Sequence, residues 1–260
     1  MNTISKQVKE LAQRSSYLRH PKEVLQEVFK LGYRQLAQPE LFLKCWPSGY
    51  IRLNPTYGEQ PHQDHEALGK IFMAYVDQVA KASPFEDILT QEYDTYLGDV
   101  LGQFCTPNDV SLLIGGLSVV AGGKLSRKVS QGKPYSLYDM CCGGGSLTMG
   151  VLSQVHSLYG REGVGLMDIY CEDIDPHMAM LTSLQLTISA IVHNLPYSSL
   201  SVRCVNTLTQ KDPVHTLYCI PDTKTYWTMH EPTATDIGEA RLIKQRESSP
   251  WDKFMQKLAA

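Results

Sequence analysis

The sequence lacks an uninterrupted apolar run of the roughly 20 residues that are needed to cross a bilayer. Its start, Met1–Arg14, is polar and charged, so it lacks the apolar segment of a signal peptide. The seven cysteines form neither a regularly spaced disulfide framework nor a C-x-x-C metal motif. These absences predict a cytoplasmic protein with reduced thiols, without a membrane segment and without a bound metal.

A strong excess of positive charge is also missing, because the formal net charge is −3. Domains that bind DNA on their own usually carry a basic excess, since the neutralisation of phosphates dominates their affinity. The charge balance therefore argues against tight DNA binding by this chain alone. One basic cluster is typical of a solvated loop, although it could also form a basic patch, and it consists of Lys124, Arg127, Lys128 and Lys133.

Residues 1–100 are predicted to form a helical N-terminal region. Apolar residues recur there at helical spacing in two runs, at residues 24–31 and 68–79. The segment between them, Gln38–Gly58, is interrupted by prolines and glycines, which predicts a loop-rich linker. Nothing in this region indicates chemistry.

The pattern changes after residue 100, and residues 101–260 are predicted to form a second domain. Thr106 can cap a helix that has Pro107 at its first position. Strand-like and helical segments then alternate, which predicts an α/β fold with a parallel, doubly wound sheet. The expected strands are Tyr135–Met140, Val164–Cys171 and Leu200–Val205.

Two features follow these strands where a doubly wound sheet binds its ligand, beyond the carboxyl ends of the strands. The first is the triple glycine of Asp139–Gly145, which alone is weak evidence because tight turns without a ligand also use glycine. No Lys-Ser/Thr pair follows it, so a triphosphate ligand is disfavoured. The second is a pair of carboxylates, Glu172 and Asp173, where an acidic side chain can accept hydrogen bonds from both hydroxyls of a ribose. Together they favour a nucleoside ligand.

Four segments carry a resemblance to a known family. Gly102–Val110 reads G-Q-F-C-T-P-N-D-V and resembles the G-Q-F-Y-T-P-x-x-V segment of adenine-N6 DNA methyltransferases, in particular the modification subunits of Type I restriction systems. Asp139–Gly145 resembles the D-P-A-C-G-S-G turn of that family. Phe85–Leu89 is similar to the segment before the first motif, and Asn206–Leu208 is similar to G-D-T-L. The resemblance covers about residues 85–208, in the family's order.

The resemblance implies a Rossmann-like class I methyltransferase sheet and S-adenosylmethionine as the cofactor. The methionine end would lie at the first motif and the glycine turn. The ribose hydroxyls would be held by Glu172, and Asn206 would meet the edge of the adenine. The cofactor-binding residues implied in this way are Phe104, Thr106, Pro107, Asp139, Cys141, Gly143, Gly144, Gly145, Glu172, Asp173, Ile174 and Asn206.

The family's catalytic tetrapeptide is absent from the sequence. Asn/Asp-Pro-Pro-aromatic orients the target amino group and stacks on the flipped base, and no N-P-P-Y/F occurs here. Glu231 and Pro232 follow a predicted strand at Tyr226–Met229 and are weak candidates to replace it. Asn194–Tyr197 resembles the N-L-P-Y of ribosomal RNA adenine dimethylases, but its position directly after a helix is typical of a helix terminator.

Three functions therefore stay open. The chain resembles an S-adenosylmethionine-dependent adenine-N6 DNA methyltransferase of restriction-modification type. It could instead be a catalytically inactive cofactor-binding or protein-interaction module, or an RNA adenine methylase that uses Asn194–Tyr197. Too few residues follow Leu208 for the remaining strands, because each strand with its crossover takes roughly 30 residues. We therefore expect an incomplete sheet in a homo- or hetero-oligomer that reaches DNA through a partner subunit.

Overall fold

The fold combines N-terminal helices with a five-stranded sheet. A computed structural model describes residues 3–36, 42–43, 45–47, 50–54, 63–96, 105–121, 124–211 and 214–220. The helices of this part of the chain are α1 (Thr3–Arg14), α2 (Pro21–Gln35), α3 (His65–Lys81), α4 (Leu89–Asp94), α5 (Asn108–Ala121), α6 (Lys124–Ser130), α7 (Ser146–Gly165) and α8 (Pro176–His193). The strands are β1 (Tyr50–Leu53), β2 (Tyr135–Asp139), β3 (Met167–Asp173), β4 (Ser199–Cys204) and β5 (Val214–Ile220).

The sheet has the order β1-β5-β4-β3-β2. Strands β2, β3 and β4 are parallel, as the alternating pattern predicts, and α7 and α8 connect them. Strand β5 differs from the expectation of a wholly parallel sheet, because it returns antiparallel to β4. The connection after β4 is short, and a parallel crossover needs about a dozen residues or more, so only an antiparallel return fits.

Strand β1 corrects the prediction that Gln38–Gly58 is only a loop-rich linker. Tyr50–Leu53 pairs antiparallel with β5, with Ile51 opposite Cys219. Ile51 is buried, and the short Y-I-R-L run has the β-branched and aromatic residues that suit a strand. The predicted helical region therefore also supplies an edge strand of the sheet.

Helix α8 lies at the centre of the molecule. Asp175 caps its start by accepting a hydrogen bond from the amide of His177 at 2.8 Å, and Pro176 occupies its first turn. It packs against α2 and α3 on one side and against β3, β4 and β5 on the other. Every residue from Met178 to Ala190 is buried, including several polar ones. The helix thus joins the N-terminal helices to one face of the sheet.

Helices α5 and α7 cross at two glycines. A Cβ on Gly115 would lie 2.5 Å from the backbone of Gly150, so only glycine allows this approach. The contact uses a narrow strip of α5 and leaves Leu113, Leu117 and Val120 at 63%, 60% and 71% exposure within the described part of the chain. An apolar face of this kind is typical of a contact surface.

The described residues contain neither a membrane-spanning helix nor a cluster of metal-ligating side chains. No helix among them combines the length and apolar character required to span a bilayer. Nor do they contain a group of three or more His, Cys, Asp or Glu side chains arranged to hold a metal ion.

Candidate functional site

A cavity of about 450 Å³ lies at the carboxyl ends of β2 and β3, within the size range of ligand pockets. Asp139 at the end of β2 pairs in register with Cys171 of β3, so the glycine turn and the acidic strand end lie side by side, as predicted. The cavity is lined by Thr90, Cys105, Thr106, Cys141, Cys142, Gly143, Gly144, Ser146, Leu147, Asp173, Ile174, Met178, Asn206, Thr207 and Leu208.

The turn between β2 and α7 depends on its glycines. Gly143 and Gly145 have φ values of +54° and +91°, which favour glycine. Gly144 is required for a different reason, since a Cβ there would lie 2.2 Å from Oγ1 of Thr90. The hydroxyl of Thr182 donates to the carbonyl oxygen of Gly143 at 2.6 Å and helps to fix the turn. The backbone of the turn therefore forms one wall of the cavity.

Of the two predicted carboxylates, Asp173 lines the cavity and Glu172 does not. Side chains alternate between the faces of a strand, so these two neighbours point in opposite directions. Asp173 lines the cavity, and its Oδ2 accepts a hydrogen bond from the amide of Gly143 at 2.8 Å. Glu172 is only 1% exposed, forms an ion pair with Arg203 and accepts a hydrogen bond from Nε2 of Gln210 at 2.9 Å.

Asp139, at the end of β2, does not line the cavity. Its Oδ2 accepts a hydrogen bond from the hydroxyl of Thr148 at 2.9 Å. Burial raises the pKa of Asp139, and the hydrogen bond from Thr148 partly offsets this shift. Pro107 and Gly145 do not line the cavity either, and Phe104 lies outside the described residues.

Another wall of the cavity is formed by Cys105 and Thr106. Helix α4 holds this wall, because Nε2 of Gln91 donates to the carbonyl oxygen of Thr106 at 3.0 Å. The amide of Cys105 donates to Oδ1 of Asp94 at 3.3 Å. Burial, together with Asp94, raises the pKa of Cys105 to about 12, so its thiol is neutral at physiological pH.

The third side of the cavity is more open and partly apolar. Ile174 and Leu208 are 65% and 95% exposed and line it together with Asn206. Oδ1 of Asn206 accepts hydrogen bonds from the amides of Leu208 at 3.1 Å and Thr209 at 3.2 Å, which fixes a turn. The hydroxyl of Thr207 donates to the carbonyl oxygen of Met140 at 2.6 Å and ties this turn to the end of β2.

Asn194, the catalytic candidate that lies within the described residues, does not line the cavity. Asn194 ends α8 with φ +52° and ψ +49°, the left-handed conformation of a helix cap. Tyr197 is buried against Trp46, with ring centroids 4.8 Å apart. It precedes the amino-terminal end of β4, whereas the cavity lies at the carboxyl ends of β2 and β3. Glu231 and Pro232, with the strand predicted at Tyr226–Met229, lie outside the described residues.

Sequence reasoning missed several residues of the cavity. Thr90 directly follows Phe85–Leu89, the segment that resembles the one before the family's first motif. That resemblance was the signal in the sequence that could have identified Thr90. Met178 belongs to the apolar stripe of α8 and carries no signal that separates it from the core. The remaining missed residues are neighbours of predicted ones, namely Cys105, Cys142, Ser146, Leu147, Thr207 and Leu208.

The sequence is similar to known methylases over the segments that form the cavity. The sequence model of the family described as N-6 DNA Methylase matches residues 83–225, which is more than half of the chain. The chain is also similar to the Type I restriction enzyme MpnII methylase subunit of Mycoplasma pneumoniae, with 29% identity over 167 residues. The match covers 62% of this chain and 28% of that protein, so the chain spans well under half of the relative's length. No solved structure matches significantly. The family match covers every segment that lines the cavity and shows that the chain belongs to the adenine-N6 DNA methyltransferase family.

Proposed function

We propose that the cavity binds S-adenosylmethionine and that the chain supplies the methyl-donor site of a DNA adenine-N6 methylation system of restriction-modification type. The observation that carries the proposal is the pairing of Asp173 with the Gly143–Gly145 turn at the carboxyl ends of β2 and β3. Nucleoside ligands bind at this edge of doubly wound sheets, where backbone and carboxylate can both reach them. Members of the family generally use S-adenosylmethionine, which makes it the expected ligand.

The residues of the cavity suit each part of this cofactor. The Asp173 carboxylate accepts bonds from the amides of Gly143 and Asp175 and keeps further lone pairs for the ribose hydroxyls. Ile174 and Leu208 offer apolar surface to the adenine. We therefore assign to Asp173 the ribose contact that had been expected of Glu172.

The methionine end would lie between Cys105–Thr106 and the glycine turn. These two sides of the cavity present backbone groups, hydroxyls and the neutral thiol of Cys105. None of these groups adds a charge beside the methyl group. When bound, S-adenosylmethionine supplies an electrophilic methyl group. The residues of this chain bind and orient it, and the target base must approach from the open side of the cavity.

The base-binding step is proposed to depend on a partner. The sequence contains no N-P-P-Y/F, and its net charge is −3. The similar protein of Mycoplasma pneumoniae is named as a subunit, and the exposed apolar face of α5 offers a surface for assembly. A second candidate function, an inactive cofactor-binding or interaction module, is favoured by the same apolar face together with the missing tetrapeptide. The RNA methylase alternative gains no support, because Tyr197 is buried away from the cavity.

Label transfer separates the first two functions. Purified protein is incubated with methyl-labelled S-adenosylmethionine and mixed-sequence DNA, and retained cofactor and labelled DNA are counted separately. We expect the chain alone to retain cofactor and to label DNA only at background level, because the groups that orient the base are missing. Strong labelling that is lost in Glu231→Gln would instead identify a working catalytic site within the chain. Failure to retain any cofactor would contradict the proposed donor site.

A further inference from the structure

A buried polar cluster lies behind the cavity wall. It consists of Asp87, Thr90, Ser146 and Gln185, which are 4%, 1%, 4% and 0% exposed. We call it the Gln185 cluster. Thr90 and Ser146 line the cavity, whereas Asp87 and Gln185 do not. Polar side chains buried this deeply are costly unless each is hydrogen-bonded, so their partners reveal what they hold in place.

The carboxamide of Gln185 bridges the glycine turn and the segment before α4. Its Oε1 accepts hydrogen bonds from the amides of Ile88 at 3.3 Å and Leu89 at 2.9 Å. Its Nε2 lies 3.0 Å from Oδ1 of Asp87, 2.8 Å from Oγ1 of Thr90 and 3.0 Å from the carbonyl oxygen of Gly144. A primary amide has two hydrogens to donate, so three acceptors share them and the group is fully used.

Asp87 holds the other end of the same turn. Its Oδ2 accepts a short hydrogen bond from the hydroxyl of Ser146, the first residue of α7. Its Oδ1 accepts from the amide of Thr90 at 3.1 Å as well as from Gln185. The turn is therefore anchored at Gly144 by Gln185 and at Ser146 by Asp87.

The cavity wall at Cys105 and Thr106 is held by the same segment of the chain. Residues 85–94 carry Asp87 and Thr90 and include α4, whose Gln91 donates to the carbonyl oxygen of Thr106. Both walls of the cavity are thus fixed relative to one segment, and Gln185 is the residue of α8 that connects that segment to the glycine turn.

We propose that Gln185 is a positioning residue for the methyl-donor site, which sets the conformation of the Gly143–Gly145 turn by tying it to Asp87–Leu89. This inference rests on the proposed function. Gln185 acts through the turn, and the helix that bears it also packs against α2 and α3. The same helix therefore contacts both the N-terminal helices and, through Gln185, the glycine turn.

Two substitutions on α8 test the proposal. Gln185→Met keeps the length of the side chain and removes its hydrogen bonds. Ser189→Ala is the matched control, because the hydroxyl of Ser189 accepts a bond from the amide of Phe85 at 2.8 Å but does not reach the turn. Both variants should be less stable than the unmodified protein. Only Gln185→Met should raise the dissociation constant of S-adenosylhomocysteine, by about tenfold or more.

The readout in the free protein is amide hydrogen exchange at Gly145, whose N–H donates to the carbonyl oxygen of Cys142 at 2.8 Å. Exchange there should accelerate more in Gln185→Met than in Ser189→Ala, and by more than the difference in their global stabilities explains. Equal exchange and equal affinity in the two variants would overturn the proposal. If the unmodified protein binds no S-adenosylhomocysteine, the proposed function fails, but the exchange comparison still decides the role of Gln185.

A measurement on the unmodified protein covers the case in which Gln185→Met does not fold. The side-chain amide hydrogens of Gln185 should be protected from exchange. Their protection and that of the Gly145 amide should rise together as S-adenosylhomocysteine is added. A side-chain amide that exchanges freely, or that does not respond while Gly145 does, would contradict the positioning role.

Discussion

Oδ2 of Asp173 accepts a hydrogen bond from the amide of Gly143 at 2.8 Å. This bond joins the end of β3 to the turn that follows β2, so the acidic strand end and the triple glycine form one unit. Asp173 thus both holds the turn and faces the cavity. Changes at either residue should affect ligand binding, and changes at the neighbouring Glu172 should affect mainly stability.

The first prediction concerns Gly144→Ala. The added Cβ would lie 2.2 Å from Oγ1 and 2.8 Å from Cγ2 of Thr90, so the turn or α4 must move. We expect a loss of about 2 to 4 kcal/mol in the free energy of unfolding, together with weaker cofactor binding. Chemical denaturation measures the first effect. Thr90→Ala in the same chain should recover part of the loss, and an additive double variant would argue against this contact.

The second prediction separates Glu172 from the cavity. Arg203→Met should lower the free energy of unfolding by about 3 kcal/mol or more, because it leaves the buried Glu172 carboxylate without its charged partner. Adding Glu172→Gln should restore part of this stability. The affinity for S-adenosylhomocysteine should change little in the double variant, since Glu172 does not line the cavity. A large loss of affinity with intact stability would return the ribose contact to Glu172.

The third prediction is a pH dependence set by Asp139. Burial raises its pKa above the ordinary value of 3.8, so folding favours the protonated carboxyl. The contribution of Asp139 to the free energy of unfolding is therefore fully present below pH 3.8. It is lost as the pH rises through the higher pKa of the folded state. The side chain of Asp139→Asn does not titrate. As the pH rises, the unmodified protein should therefore lose stability that the variant keeps.

Urea unfolding of both proteins between pH 4 and pH 8 gives the difference directly. Asp87, whose pKa burial also raises, is present in both proteins and cancels in the comparison. A difference that is constant with pH, or that changes in the opposite direction, would show that the Asp139 carboxyl is not desolvated in the folded state.

The fourth prediction uses two cysteines of the cavity. Cys141 is exposed, whereas the pKa of Cys105 is raised to about 12 by burial and by Asp94. At pH 8 only about one Cys105 thiol in ten thousand is ionised, so iodoacetamide should modify Cys141 much faster. S-adenosylhomocysteine should slow the reaction at Cys141, and peptide mass spectrometry locates the label. Modification of Cys141 at an unchanged rate in the presence of saturating ligand would place the ligand elsewhere.

Local patterns were sufficient to predict part of this structure. Asp175 and Pro176 give α8 a strong start signal, and Asn194 gives it a strong stop signal. The parallel order of β2, β3 and β4 follows from strands separated by helices. The glycine turn could be predicted from the sequence because Gly143, Gly144 and Gly145 are consecutive residues after a predicted strand.

The features that depended on distant pairing were not predictable. Which of Glu172 and Asp173 lines the cavity depends on the face of β3 that each side chain occupies, and a local pattern at the strand end does not specify that face. Strand β1 exists because β5, far along the chain, offers it an edge. A glutamine inside an apolar helix, such as Gln185, belongs to no short motif, and its role follows only from the atoms around it.

Calorimetric titration with S-adenosylhomocysteine tests the central claim, the donor site at Asp173, most directly. The unmodified protein should bind, and Asp173→Asn should raise the dissociation constant roughly tenfold to a hundredfold, as expected for one lost charged acceptor. Asp168→Asn, on the same strand but bonded to Ser199 at 2.8 Å, is the matched control and should bind like the unmodified protein. No binding by the unmodified protein at millimolar ligand, or equal affinities in all three proteins, would contradict the account.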